Sequence, residues 1–439
     1  MISNIPLNKI NLSSGGAIVQ KPFITTWKTD NVGTSEDNEI SLPFVSGGSY
    51  DCIVDWGDGN SNEITAYDQE EVTHTYSSPG TYTVKIRGQC EGFRFNDGGD
   101  KLKLLTVEQW GVNFKLNAAG GHFFGCSNLV INAIDKIDIG TTTNLSQAFR
   151  DCAALDDTAI KFKDTSNVTT LWACFYGCNN FNGNLDTLTT QNCQYLNDMF
   201  GECHKFNQPV NHFDTSNVTS LYAMFYGCYV FNQPVDNWDT SNVTNMISLF
   251  NGCAKFNQDI SNFDTSGISD MYAMFNGCLV FNQSVSNFDT SNVTNMTYTF
   301  RDCRAFNQSV SNFDTSSVET MVGTFYGCTV FNNPLTNWNT SNVTDMYSFL
   351  RDCTAFDQDI SNLNIESVTN VNYFLNNATS FSTANYDAFL IEIATNQDVI
   401  DSLTFHASSY YTSGGAAEAA RSDLIATDLW TINDLGAAA

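Results

Sequence analysis

The stretch NVTNMISLFNGCAKFNQDISNFDTS, residues Asn242 to Ser266, decides the fold because the chain repeats it. Set against its neighbours it gives the frame V-x-x-M-x-x-x-F-x-x-C-x-x-F-N-Q-x-V-x-x-F-D-T-S-N at a 25-residue period. One column of the frame is Val218, Val243, Ile268, Val293, Val318, Val343 and Val368, and a second is Leu221, Met246, Met271, Met296, Met321, Met346 and Val371. A third holds Phe200, Phe225, Phe250, Phe275, Phe300 and Phe325, and a fourth runs from Phe206 through Phe256 and Phe306 to Phe381. Self-similarity at such a period marks an architecture whose units bury their apolar side only against each other. Within a unit, the V, M, F, C, F spacing is helix-like, whereas F-N-Q-x-V-x-x-F-D reads as an extended segment closed by a turn. The frame therefore predicts a right-handed solenoid of about eleven coils over residues 126–383. Each coil is expected to pair one short helical or 3₁₀ turn with one short strand. Parallel strands stacked about 4.8 Å apart give a rod on the order of 50 Å long.

The repeat also interprets the cysteines. Ten of the 14 fall in one register, Cys126, Cys152, Cys178, Cys203, Cys228, Cys253, Cys278, Cys303, Cys328 and Cys353. One thiol per coil fits a ladder of small apolar core residues better than disulfides or a metal site, since no C-x-x-C pair or zinc-type Cys/His spacing occurs. Cys174 stands where later coils have Met199, Met224 and Met274. The Asn after each fourth-column Phe (Asn182, Asn207, Asn232, Asn257, Asn282, Asn307, Asn332) reads as an internal amide ladder, because an amide both donates and accepts. Asp164, Asp214, Asp239, Asp264, Asp289 and Asp314 recur once per coil, and such a row could bind calcium. Asn339 and Asn364 take over the slot in later coils, keeping a turn-capping oxygen and losing the charge, so turn or helix capping is the expected role. Asn-Val-Thr at Asn167, Asn217, Asn242, Asn292 and Asn342 matches a glycosylation acceptor, but the frame itself spells it.

The V-x-x-M/I-x-x-x-F-x-x-C-x-x-F/L frame, with its F-N-Q and D-T-S-N-V-T phrases, resembles the BspA-like leucine-rich-repeat family of surface proteins over roughly residues 110–385. That resemblance implies a leucine-rich-repeat-like solenoid and a role in surface adhesion or recognition of host molecules. Residues 22–95 lie outside the frame. Cys52-Ile-Val-Asp-Trp-Gly-Asp-Gly-Asn60 and Thr73-His-Thr-Tyr-Ser-Ser-Pro-Gly-Thr-Tyr-Thr-Val-Lys-Ile86 place turn residues between alternating strands. These phrases resemble the polycystic-kidney-disease (PKD) type of immunoglobulin-like β-sandwich, which implies a spacer or binding module. Asp55 and Asp58 in it are expected to cap turns. The remaining segments read as an N-terminal arm at 1–21, a transition or cap at 96–125, and a C-terminal cap at 384–439 with one helical stretch from Ala416 to Ala426.

Composition narrows the function. With 19 Lys plus Arg against 47 Asp plus Glu, the net charge of -28 repels nucleic-acid phosphates and anionic lipid. No apolar run approaches the roughly 18 residues of a membrane helix, so no membrane insertion is expected. The first 21 residues have no basic region followed by a long apolar one, so no standard cleaved signal is read there. The five His are scattered, and no P-loop, G-x-S-x-G or H-E-x-x-H is present, so neither catalysis, a cofactor nor a metal is expected. Candidate binding residues are the aromatic and basic side chains at variable positions: Tyr176, Tyr226, Arg301, Tyr326 and Arg351 near the Cys slot, and Tyr222, Tyr272 and Tyr347 just after the Met slot. The expected function is non-enzymatic adhesion to a host cell-surface protein or glycan, on the surface of a phage virion or similar particle, with the N-terminal arm docking on that particle. A passive scaffold subunit and a secreted adhesin exported by an atypical route are the alternatives.

Overall fold

The computed structural model describes residues 20–438; the arm expected at 1–21 lies outside them except for its last two residues. Nine strands come first: β1 (Phe23–Lys28), β2 (Glu39–Ser41), β3 (Phe44–Asp55), β4 (Ser61–Ile64), β5 (Thr73–Thr75), β6 (Thr81–Phe93), β7 (Leu104–Gln109), β8 (Phe114–Lys115) and β9 (Val130–Ile131). Seven form one sheet in the order β4-β3-β6-β1-β7-β9, with β8 on β6, while β2 and β5 form a separate pair. Trp27, Trp56, Tyr76, Phe93 and Trp110 fill this region's core. The two phrases singled out in the sequence meet there: the Trp56 and His74 rings stack at 4.8 Å, and the Tyr76 hydroxyl donates to the Trp56 carbonyl at 3.0 Å. Asp55 accepts the N–H of Gly57, and Asp58 accepts the N–H of Asn60 and contacts His74, so both carboxylates close the turn. The sheet does not stop at residue 95. β7 carries β9 in parallel, so the first repeat is laid directly on the sheet's edge.

From there the chain is a stack of tandem repeats. The frame columns are buried throughout, and equivalent Phe rings lie over one another, with centroids 5.8 Å apart for Phe175–Phe200, 5.7 Å for Phe200–Phe225 and 5.9 Å for Phe225–Phe250. Each buried ring is worth about 2–3 kcal/mol of apolar transfer, realised only through its neighbours above and below.

Two details of the expected coil are corrected. No coil between residues 132 and 382 contains a helical turn or a strand longer than a single bridge. The segment with helix-like spacing is a run of turns in which two residues per coil, two and six places after the Met slot, have positive φ: Ala173 (51°) and Gly177 (74°), Asp198 (54°) and Glu202 (59°), Ala273 (53°) and Gly277 (73°). A right-handed helix cannot pass through such residues. The turns point alternate N–H groups within the coil and across to the next one. Leu171, Ala173, Phe175 and Gly177 donate to the carbonyls of Tyr195, Asn197, Met199 and Gly201 at 2.8–3.1 Å, while Cys174, Tyr176 and Cys178 bond three residues back. The parallel pairing along the stack therefore runs through this segment. The F-N-Q segment, expected to be the strand, is extended but is joined by side chains instead: the N–H of Asn207 donates to Asn182 Oδ1 at 2.9 Å, and Asn232, Asn257, Asn282, Asn307 and Asn332 continue the series.

At the far end α1 (Thr383–Asn396) and α2 (Ala416–Ala426) flank β10 (Thr404–His406) and β11 (Thr431–Asn433). α2 falls where the sequence places a helix; α1, started by the Ser382 side chain accepting from the Asn385 N–H, does not appear in that reading. Leu375 bridges in parallel to Ala407, and β10 pairs in parallel with β11, so the terminal region adds rungs to the stack.

Candidate functional site

The segment that pairs coil to coil also presents the most varied side chains. The residue after the Met slot points outward, and its backbone is held from two sides. Its N–H is capped by the side chain two residues earlier: Thr170 for Trp172, Ser220 for Tyr222, Asp270 for Tyr272 and Asp345 for Tyr347. Its carbonyl accepts from the preceding coil, as in Gln147 to Trp172 (2.8 Å), Asp198 to Tyr222 (2.8 Å) and Ser248 to Tyr272 (2.9 Å). Rings on such a backbone are displayed with little freedom left to lose on binding.

The eight sequence-chosen residues separate into two groups. Arg301 lies between the Tyr298 and Tyr326 rings (5.0 and 4.9 Å), and Arg351 between Tyr326 and Tyr373 (5.0 Å each). Together these five form one continuous stack across the later coils. Arg301 and Arg351 also lie 3.4 and 3.6 Å from Asp302 and Asp352, and Tyr347 packs edge-on against Tyr373 at 5.7 Å. Tyr176 is likewise half-buried under Arg150. These groups are engaged with each other, and their faces are not free for a ligand.

The other group lies in the earlier coils. Tyr222, Tyr226 and Tyr272 are 37–39% exposed, Tyr272 even though it meets Tyr298, the first ring of the self-stacked group, edge-on at 6.1 Å, and with them stand Trp172 (43%), Tyr195 (47%) and Tyr229 (49%), which the sequence reading did not select. Trp172 occupies the same slot as Tyr222 and Tyr272, so the frame itself pointed to it; Tyr195 sits in a slot filled elsewhere by small or polar residues, and Tyr229 in one filled elsewhere by non-aromatic residues or His204. Around these rings lie Asp198, whose carboxyl burial pushes up against an opposing hydrogen bond from Trp172, and Glu202, which holds His204 at 2.8 Å under the stacked Tyr229 ring. Asn197 stands between Trp172 and Tyr222 with its Oδ1 unpartnered.

The other polar rows are occupied by the fold. Asp214, Asp239, Asp264, Asp289 and Asp314 each accept the N–H two residues on, at 2.9–3.0 Å, and Asn339 does the same at 3.1 Å. The Ser241, Ser291 and Ser316 groups hold Asp239, Asp289 and Asp314 below the usual carboxylate range. The Asn of Asn-Val-Thr spends its amide on the coil before, Asn242 on Ser216 and Asn292 on Ser266. Among the described residues no group of three His, Cys, Asp or Glu is placed to hold a metal ion, and no helix is long and apolar enough to cross a membrane. A hollow of about 270 Å³ lined by Gln89, Glu91, Asn113 and Lys115 is spanned by the Lys115–Glu91 ion pair at 2.8 Å.

Comparison with known families gives one match, to a model described as "Mycoplasma protein of unknown function, DUF285", over residues 142–246, 230–322 and 298–402, which together run without a gap through more than half of the chain. No curated protein and no solved structure matches the sequence.

Proposed function

This chain belongs to the DUF285 family, and from its repeat stack and ring-bearing face we propose that it is a non-enzymatic adhesion or receptor-binding protein. The observation that carries the reading is the exposed aromatic group on the earlier coils, Trp172, Tyr195, Tyr222, Tyr226, Tyr229 and Tyr272, of which Trp172, Tyr222 and Tyr272 are set on a backbone fixed from both sides. Aromatic rings held rigidly supply contact area at low entropic cost. We read the repeats as a right-handed leucine-rich-repeat-like solenoid of the BspA-like kind, and the N-terminal sheets with their W-G-D-G turn as a PKD-like, immunoglobulin-like module that spaces the solenoid from its attachment. The later coils, whose Tyr and Arg are stacked on one another, serve as the stalk. The chain is placed outside a virion or similar particle, its partner being a host surface protein or glycan.

The test is binding of the purified chain to host surface fractions, alongside a variant in which Tyr195, Tyr222 and Tyr226 are replaced by Ser. Retention by the parent and at least a tenfold loss in the variant, with unchanged thermal unfolding, supports the reading. Equal binding by both, or by neither, removes it and leaves the passive scaffold.

A further inference from the structure

Trp172, Tyr222 and Tyr272 occupy one slot, the position after the Met slot, in every second coil. The intervening coils put Asn197 and Ile247 there, and the next coil has Thr297. Three exposed rings thus stand in a line along the stack. The coils are joined at this segment by direct parallel backbone hydrogen bonds. Two rungs of such a ladder span about 10 Å. The bonds on either side of each ring residue fix that spacing.

A ligand matched to this line must be extended and must present an equivalent apolar face once per two rungs. A β-1,4-linked glycan has that form: equatorial linkages make a flat ribbon, successive sugars are turned over, and the same C–H face returns every second sugar. Aromatic rings pack on that face through their π surfaces. An α-1,4-linked chain coils and cannot meet three rings in line. Charge narrows the class further. The protein carries a net charge of -28, Asp270 caps the backbone of Tyr272 itself, and Asp198 takes a hydrogen bond from the Trp172 side chain and gives its N–H to the Tyr222 carbonyl. A sulfated or uronate polymer is repelled by such a surface.

We propose that the Trp172–Tyr222–Tyr272 line binds a neutral, extended β-1,4-linked glycan of at least five sugars, one ring under every second sugar. The inference rests on the adhesive reading above and names its ligand class. The experiment is calorimetric titration of the full chain with cellohexaose, chitohexaose and maltohexaose, repeated with the trisaccharides and with the variants W172A, Y222A, Y272A and Y326A. Expected are binding of at least one β-linked hexamer and none of the α-linked one, and a loss of tenfold or more on shortening to three sugars. Each of the first three substitutions should lose at least fivefold, while Y326A, in the self-stacked group, should leave affinity unchanged. No binding of either β-linked hexamer, equal affinity for maltohexaose, or equal effects of Y326A and Y222A would overturn the proposal. If these sugars fail but the Ser-substituted face still abolishes attachment to host fractions, the adhesive reading stands and a protein partner replaces the glycan; if the face also proves irrelevant there, both fall.

Discussion

Why the thiol recurs is answered by a bond that composition alone does not reveal. In coil after coil the Cys Sγ donates to the carbonyl of the third-column Phe in the coil before: Cys178 to Phe149 (2.9 Å), Cys253 to Phe225 (3.1 Å), Cys328 to Phe300 (2.9 Å) and Cys353 to Phe325 (3.0 Å). The slot thus asks for a small apolar group that still donates weakly. Cys253→Ala leaves that carbonyl unpaired and opens a small void, so a loss of about 1–2 kcal/mol is expected in urea unfolding; a change within 0.3 kcal/mol would mean the bond contributes nothing. All fourteen thiols are free and buried, and burial pushes those of the ladder up, so a thiol reagent should find none before unfolding and all afterwards. The apolar role of Cys was legible from its register, whereas the Thr of D-T-S was not. Thr215, Thr240, Thr265 and Thr290 are buried and donate to the carbonyls of Asp239, Asp264, Asp289 and Asp314 in the next coil. A hydroxyl between Asp and Ser gives no sign in the sequence that it faces inward.

At the scale of the element, the pairing segment departed from its helix-like spacing because side-chain periodicity reports which residues are buried and says little about the sign of φ. Of its two left-handed positions, only the second has a readable preference, holding Gly177, Gly277 and Gly327 but also Asp352 and Asn377; the first accepts Ala273, Tyr298 and Ser348. At Gly277 an added Cβ would meet only Gly252 at ordinary contact distance, so conformation and not space decides what is tolerated there. Gly277→Asn should then cost less than about 0.5 kcal/mol and Gly277→Val about 2 kcal/mol; similar costs for the two would mean the position is not held left-handed. The junction of sheet and first coil holds a pH-sensitive group. His122 is fully buried, its Nε2 at 3.2 Å from the Ala118 carbonyl, and burial, aided by the charge of Arg94, pushes it down from 6.5 to about 4. The unfolded chain takes up a proton at pH 6.5 that the fold refuses, so this contribution is complete above that pH and disappears as pH falls towards 4. Its size is on the order of 3 kcal/mol. His122→Gln should flatten the fall in unfolding free energy between pH 7 and pH 4.5 relative to the parent; parallel curves would show that the imidazole is not held neutral.

For the molecule as a whole, a stack whose units touch only their neighbours behaves as a sum of coils and interfaces, which separates folding from ring spacing. Removal of Asn242–Ser266 joins Ser241 to Gly267, recreating the D-T-S-G junction the chain already has at Asp264–Gly267, and keeps every remaining column in register. The shortened chain should fold, with a denaturant slope reduced in proportion to the lost coil. It also brings Tyr222 and Tyr272 into adjacent coils, about 5 Å apart, so the every-second-coil line is broken while every ring remains. Removal of Ser317–Ser341 is the counterpart: it joins Ser316 to Asn342, takes away Tyr326 from the self-stacked group, and leaves Trp172, Tyr222 and Tyr272 at their original intervals with Tyr298 still edge-on to Tyr272. If spacing along the stack is what the ligand reads, the first deletion should weaken binding to the ring face at least tenfold and the second should leave it unchanged, with both proteins equally folded by circular dichroism. Equal binding by the two would show that the rings act singly, and that the regular rise of the repeats supports them without measuring anything.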